Sequence, residues 1–134
     1  QFWRAVYDEK IQRMDRKFNH FIAEYAKLGL LDKTIFILTS DHGTEFCEHD
    51  RLDHGFTLYQ EQIHVPLIIR LPKQMKPKIV NDRISTVDLM PTILDLLDLR
   101  VTEPIQKQLR GKTLSPNLNG QGVSRDVFSE TNYR

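Results

Sequence analysis

Apolar residues in the first quarter of the chain recur at three- and four-residue steps. Trp3, Val6, Ile11, Met14, Phe18, Phe21, Ile22, Tyr25 and Leu28 are separated by Lys, Arg, Asp and Glu. That spacing predicts an amphipathic helix whose apolar stripe, Trp3 and Phe18 included, needs a partner surface. No Pro or Gly interrupts residues 1–28, and Gly29 is the natural stop because it tolerates the left-handed cap conformation. From Thr34 to Ser40 the pattern changes to Thr-Ile-Phe-Ile-Leu-Thr-Ser, β-branched and apolar without clean alternation. Such a run predicts a strand buried on both faces. Leu30–Lys33 is a short connector, and Val65–Leu71 is a second apolar strand. Helix, tight turn and buried strand together predict an α/β layer architecture.

Beyond residue 71 the pattern is weaker. Pro72–Pro77 reads as a basic surface turn with solvated lysines around Met75, and Val80–Thr86 as a short strand. A second helix starts near Thr86 or Asp88, with Pro91 in its first turn, where the missing N–H costs no hydrogen bond. Its stripe is Leu89, Ile93, Leu96 and Leu97. Residues 100–122 are rich in Gly, Pro, Asn and Gln and read as loop, and Val127–Phe128 as a last short strand. There is no internal repeat and no low-complexity tract.

Composition narrows the class. With 134 residues the chain is one ordinary domain or a piece of one. It is 40% hydrophobic and 28% charged, which fits a soluble globular protein. A net charge of +1 removes the electrostatic footprint of a dedicated nucleic-acid binder, so no nucleic-acid partner is expected. One cysteine excludes an intrachain disulfide framework and a Cys-only metal site. The longest apolar runs fall far short of the roughly 20 residues that a membrane span needs. No signal peptide is visible at Gln1, although the absence of an initiating Met leaves the true start open.

The charge balance hides a local cluster. Residues 41–64 hold Asp41, His42, Glu45, Glu48, His49, Asp50, Asp53, His54, Glu61 and His64, with four of the five histidines of the chain. A long connection that is ordered usually carries function. Ser40-Asp41-His42-Gly43 directly follows the first strand, and open α/β sheets bind ligands at the carboxyl ends of strands. An Asp and a neutral His offer an oxygen and an imidazole nitrogen to one divalent cation, provided that the backbone turns sharply, as Gly43 allows. The alternative is an Asx turn followed by a helix cap, and the spacing alone does not decide between them.

Neighbouring residues extend the pattern. Thr39-Ser40-Asp41-His42-Gly43, Glu45-Phe46, Glu48-His49, His54-Gly55, Leu58-Tyr59-Gln60-Glu61 and Val65-Pro66-Leu67-Ile68 follow in order. They are flanked by Tyr7-Asp8 through Asp15 and Leu28-Gly29-Leu30-Leu31-Asp32 on one side. On the other lie Ser85 through Leu94, Gly111-Lys112-Thr113-Leu114 and Phe128-Ser129-Glu130-Thr131. The ordered set resembles the sulfatase family of the alkaline-phosphatase-like superfamily, over nearly the whole chain.

The resemblance implies part of an alkaline-phosphatase-like α/β/α sandwich and hydrolysis of a sulfate or phosphate ester. Asp41 and His42 match two ligands of the divalent cation, for which calcium is the expected ion and manganese, magnesium or zinc are alternatives. His at the second position, where many sulfatases carry Asn, is shared with choline-sulfatase-like, phosphonate-monoester-hydrolase-like and lipoteichoic-acid-synthase-like members. His54 matches a position where the family places a Lys or His near the ester oxygens, where a donor stabilises developing negative charge. Its alternative is an ordinary loop histidine. Thr44 departs from the family's common Glu after Asp-His-Gly. Glu45 is a candidate for orienting the ligands, whereas Glu48 and His49 read as solvated. Tyr59 and Glu61 are expected to anchor the returning loop and His64 to be structural. Cys47 with Arg51 imitates the spacing of the formylglycine motif, but position 49 is His rather than Pro, and the segment follows the metal motif instead of preceding it. Cys47 is therefore expected to be a partly buried loop cysteine and not the nucleophile.

The nucleophile motif and the paired Asp ligands of the family have no match in this sequence. Two ligands hold a divalent ion poorly against water. Residues 1–134 are thus expected to be the carboxy-terminal portion of a larger catalytic domain, inactive alone, whose remainder packs on the first helix and the strands. The competing expectations are a phosphate or phosphonate ester hydrolase or phosphotransferase of the same superfamily, and a non-catalytic module that retains the fold. The resemblance points to a periplasmic, extracellular or lysosomal setting without fixing one.

Overall fold

The computed structural model describes residues 2–72, 76–122 and 124–131, so Lys73–Met75, in the expected basic turn, lie outside the described residues. The chain divides into two compact units, residues 1–76 with 130–134, and residues 77–129.

The first unit opens with helix α1, Phe2–Lys27. It ends where the apolar spacing predicts. Gly29 has φ +66° and the Leu30 N–H reaches back to the Tyr25 carbonyl at 3.0 Å, the i→i−5 bond of a left-handed helix stop. Strand β1, Phe36–Thr39, follows after a single 3-10 turn at Leu31–Lys33. The next elements are β2, Glu45–Phe46, and β3, Leu52–Asp53, then the one-turn helix α2, Gln60–Ile63, and strand β4, Leu67–Arg70. β1 pairs antiparallel with β4, in the register Phe36 with Arg70 through Thr39 with Leu67. β2 and β3 form a separate short ribbon, Glu45 opposite Asp53 and Phe46 opposite Leu52.

Aromatic rings join helix to strand. Phe21 and Tyr25 meet Phe36 edge-on at 6.2 and 5.4 Å between centroids. Nearer its start, α1 sets Tyr7 edge-on against Phe46 at 5.2 Å, and Arg4 bonds Glu48 at 2.6 Å. The expected burial of β1 on both faces is not realised. Within residues 1–134 Leu38 and its register partner Ile68 are 37% and 59% exposed, as α1 is the one helix whose rings meet this two-stranded ribbon among the described residues. Within residues 1–134 Trp3 is likewise 55% exposed, not the covered helix-core residue expected, whereas Phe18 is half-buried.

The second unit is built around helix α3, Leu89–Leu96, with the short helices α4, Glu103–Gln106, and α5, Ser115–Leu118. The stretch expected to be loop therefore contains two single helical turns. No strand forms at 80–86 or at 127–128. Residues 77–85 carry no regular structure before a 3-10 turn at Thr86–Asp88, and β-branched residues without a ladder partner make no strand. The unit is held by a buried polar knot. Asp88 is fully buried, with Oδ1 accepting the Lys112 N–H at 2.8 Å and Oδ2 accepting the Ser85 N–H at 2.9 Å and a bond from Arg125. Thr92, also fully buried, donates to the Asp88 carbonyl at 2.6 Å and accepts the Leu114 N–H at 2.9 Å. Among the described residues Leu114 is the buried apolar side chain.

Candidate active site

The site candidates sit on the connection between β1 and β4. Asp41 lies two residues past the end of β1. No helix follows it, so the helix-cap alternative is not what the chain adopts. Asp41 Oδ1 accepts the His42 N–H at 3.0 Å, and Ser40 Oγ donates to the His42 carbonyl at 2.7 Å. The backbone N–H of His42 is the largest influence on the Asp41 carboxyl and holds its pKa below the ordinary aspartate value. Asp41 is therefore an exposed, ionised carboxylate with Oδ2 turned toward His42 Nε2, 3.7 Å away.

The His42 ring has a defined orientation. Its Nδ1 lies 2.8 Å from the Gly43 carbonyl, an acceptor only, so Nδ1–H donates and the neutral ring carries its lone pair on Nε2. One carboxylate oxygen and one imidazole lone pair thus converge on the same point from adjacent residues. Gly43 makes the turn feasible through close approach. A Cβ there would lie 2.0 Å from the Glu61 carbonyl oxygen, and the Gly43 N–H donates to the Gln62 carbonyl at 2.8 Å.

His54, expected at the ester on family grounds, is brought to the same place. Its ring stacks on His42 with centroids 3.7 Å apart and planes 21° from parallel. Its Nδ1 pairs with Asp53 Oδ1 at 2.6 Å, which leaves Nε2 as the free ring atom. The structure therefore unites Asp41, His42 and His54.

Behind them lies a part that sequence reasoning resolved incompletely. Glu45, offered as an orienting residue, is fully buried. Its Oε1 accepts from His49 Nδ1 at 2.8 Å and its Oε2 from Gln62 Nε2 at 2.8 Å. Burial pushes the Glu45 carboxyl up, and the hydrogen bonds from His49, Gln62 and Thr57 outweigh it, so the pKa ends below the ordinary glutamate value. His49 and Glu48, expected to be solvated, are both engaged. His49 stacks on Tyr59 at 3.4 Å and 9°, and Glu48 accepts from Arg4 and from the Phe46 N–H. Tyr59 does anchor the returning loop, through that stack and as the residue that starts α2. His64 is exposed and contributes its N–H to the end of α2. Gln62, which no sequence pattern singles out, is 5% exposed at the centre of these bonds. Among the polar neighbours Gln60, Glu61 and His64, nothing in the sequence marks it as the buried one.

Cys47 is exposed, not partly buried. It occupies the left-handed region at φ 69°, as do Asp50 at 59° and Asp53 at 85°, in a tight hairpin closed by the Cys47 N–H to the Arg51 carbonyl at 2.8 Å. That backbone is uncommon for residues other than Gly.

Two donor sets fit a metal differently. Asp41 and His42 present unshared donor atoms with the right chemistry for a divalent cation. Glu45, His49 and Glu61 also bring ligand atoms within 4.8 Å of one another, an acidic and imidazole group able to hold an ion. There, however, both Glu45 oxygens already accept hydrogen bonds. No helix among the described residues is long and apolar enough to cross a membrane.

Comparison with known proteins matches residues 3–99 to the family model described as Sulfatase. An N-acetylglucosamine-6-O-sulfatase of Bacteroides thetaiotaomicron is 36% identical over 99% of this chain and 23% of its own length. Arylsulfatase K of Bos taurus is 36% identical over 85% of this chain and 20% of its own length. Among solved structures, a phosphonate monoester hydrolase from Silicibacter pomeroyi superposes with a TM-score of 0.70 at 32% identity, covering 84% of this chain and 21% of that one. The chain thus spans about a fifth of the length of the relatives it matches.

Proposed function

The chain belongs to the sulfatase family, and from that premise we propose that it forms the ester-facing part of the metal site of a larger sulfuric-ester hydrolase. Its fold class is the mixed α/β of the alkaline-phosphatase-like enzymes. The observation that carries the reading is the convergence of Asp41 Oδ2 and His42 Nε2, 3.7 Å apart, beneath the stacked ring of His54.

In this reading the residues divide the work. Asp41, ionised and exposed, and His42, with its lone pair on Nε2, hold one divalent cation, with calcium the expected ion. When bound, the cation supplies Lewis acidity to the ester oxygens and a template for the attacking group. Asp53 accepts from His54 Nδ1–H, so that Nε2 faces the ester, and in the imidazolium form, protonated on both ring nitrogens, Nε2–H would donate toward the oxygen on which charge develops. The Gly43 carbonyl keeps the His42 tautomer fixed, the role that an outer hydrogen-bond partner plays for a metal-ligating histidine. The nucleophile and the remaining ligands belong to the rest of the catalytic domain, of which residues 1–134 are the carboxy-terminal portion. The share of the relatives' length that is covered supports this division.

Sulfate is the ester favoured by the two sulfatase relatives. A second reading, a phosphonate or phosphate monoester hydrolase, is favoured by the likeness to the Silicibacter pomeroyi structure. The full-length protein assayed with calcium or manganese against 4-nitrophenyl sulfate and against a phenylphosphonate monoester separates them. Preference for the sulfate supports the proposal, and preference for the phosphonate replaces it with the second reading. Turnover of neither leaves a non-catalytic module as the account.

A further inference from the structure

We propose that Gln62 is a positioning residue that sets His54 against His42, an inference that deepens the sulfatase reading and rests on it. The peptide groups that directly follow the two histidines, at Gly43 and Gly55, both end on this one residue. The Gly43 N–H donates to the Gln62 main-chain carbonyl at 2.8 Å. The Gly55 N–H donates to Gln62 Oε1, also at 2.8 Å. The same side chain donates from Nε2 to Glu45 Oε2 and to Thr57 Oγ1, each at 2.8 Å. Gln62 is 5% exposed, so water does not substitute for these bonds.

The chemistry calls for a primary amide. Gly55 presents a donor and needs an acceptor, whereas the ionised Glu45 accepts only and needs a donor. An amide supplies one acceptor oxygen and two N–H donors on a rigid plane, and the fixed carboxylate decides which end faces which partner. Glu at 62 would set two carboxylates together, and an aliphatic residue would leave the Gly55 N–H and the Glu45 oxygen unpaired. His54 sits one residue before the clamped Gly55, and its ring stacks on His42 at 3.7 Å. Freeing the Gly55 peptide therefore lets the His54 ring leave its place, while the Gly43 bond, made by the main chain of residue 62, persists.

The test uses the full-length protein with selective 15N labelling of histidine. Gln62→Met keeps the length of the side chain and removes its hydrogen bonds. Turnover of whichever ester the parent hydrolyses is expected to fall about tenfold to a hundredfold in kcat, with KM within about threefold. The His54 and His42 imidazole resonances are expected to shift while that of His20, on α1, stays in place. Gln62→Glu alone should behave in the same way. Combined with Glu45→Gln it restores a carboxylate–amide contact with donor and acceptor exchanged, and kcat is expected within about fivefold of the parent with both resonances returned. Parent-like kcat and resonances in Gln62→Met overturn the proposal, as does an exchanged pair that stays displaced or does not fold. If Gln62→Met does not fold, the exchanged pair decides alone. If the parent hydrolyses neither ester, the sulfatase reading fails, and the resonances still decide the positioning role.

Discussion

Each of the two units buries one carboxylate completely, and the two are satisfied in different ways. Asp88 is held by the Arg125 guanidinium together with two main-chain groups, the N–H of Lys112 and of Ser85. Among the described residues Glu45 is held by side chains, those of His49, Gln62 and Thr57. A carboxylate that collects main-chain donors from distant parts of a chain ties that chain together. A carboxylate that collects side chains fixes where those side chains point. Asp88 is accordingly a folding knot, and Glu45 an organiser of the loop that presents His42 and His54. Burial and charge alone would have classed them together.

Asp88→Ala sharpens this contrast most. It unpairs the Lys112 and Ser85 amides and leaves Arg125 without its carboxylate. Arg125 is partly exposed, so the cost falls at the low end for a broken buried pair, about 3 kcal/mol by urea denaturation. The His42 and His54 resonances should not move in conditions where the variant is folded. Glu45→Ala reverses the pattern. Gln62 keeps Thr57, and His49 reaches solvent, so about 2 kcal/mol is expected, together with displacement of both imidazole resonances.

Acid acts on both carboxylates in the same direction. Each has a folded-state pKa below its ordinary value, Asp88 because the bonds from Arg125, Lys112 and Ser85 outweigh the upward push of burial. A depressed pKa contributes stability that is fully present above the unfolded value, roughly 4, and is lost as pH falls through the lower folded value. The urea midpoint should therefore drop on acidification below about pH 4, and less steeply in Asp88→Ala. The smallest effect is expected at Cys47, which is exposed and, among the described residues, bonded through its main-chain N–H. Cys47→Ser should change stability by less than about 0.5 kcal/mol and leave activity intact. Loss of activity would return Cys47 to candidacy as the nucleophile.

The contrast also marks what a linear reading reaches. α1 was legible to its last turn, because apolar spacing and a terminal glycine are local signals. Asp41 and His42 were legible from their position after β1, and His54 from its resemblance to a family position. Glu45, His49 and Gln62 form bonds across 4 and 17 residues of an irregular loop, where no period exists to betray burial. Asp88 and Arg125 are 37 residues apart, and neither differs in type from any solvated ion. The strand expected at Val80–Thr86 failed for the converse reason. Residue type favours extended backbone there, but a strand also needs a partner, which residue type does not record.

The central claim is that Asp41 and His42 hold the cation for ester hydrolysis. Asp41→Ala and His42→Ala in the full-length protein, assayed on its preferred ester across a calcium titration, test it most directly. The account predicts a fall in kcat/KM of about a hundredfold or more in each, with a weaker dependence on calcium and an unchanged urea midpoint. Activity within about threefold of the parent, at an unchanged calcium requirement, would contradict it.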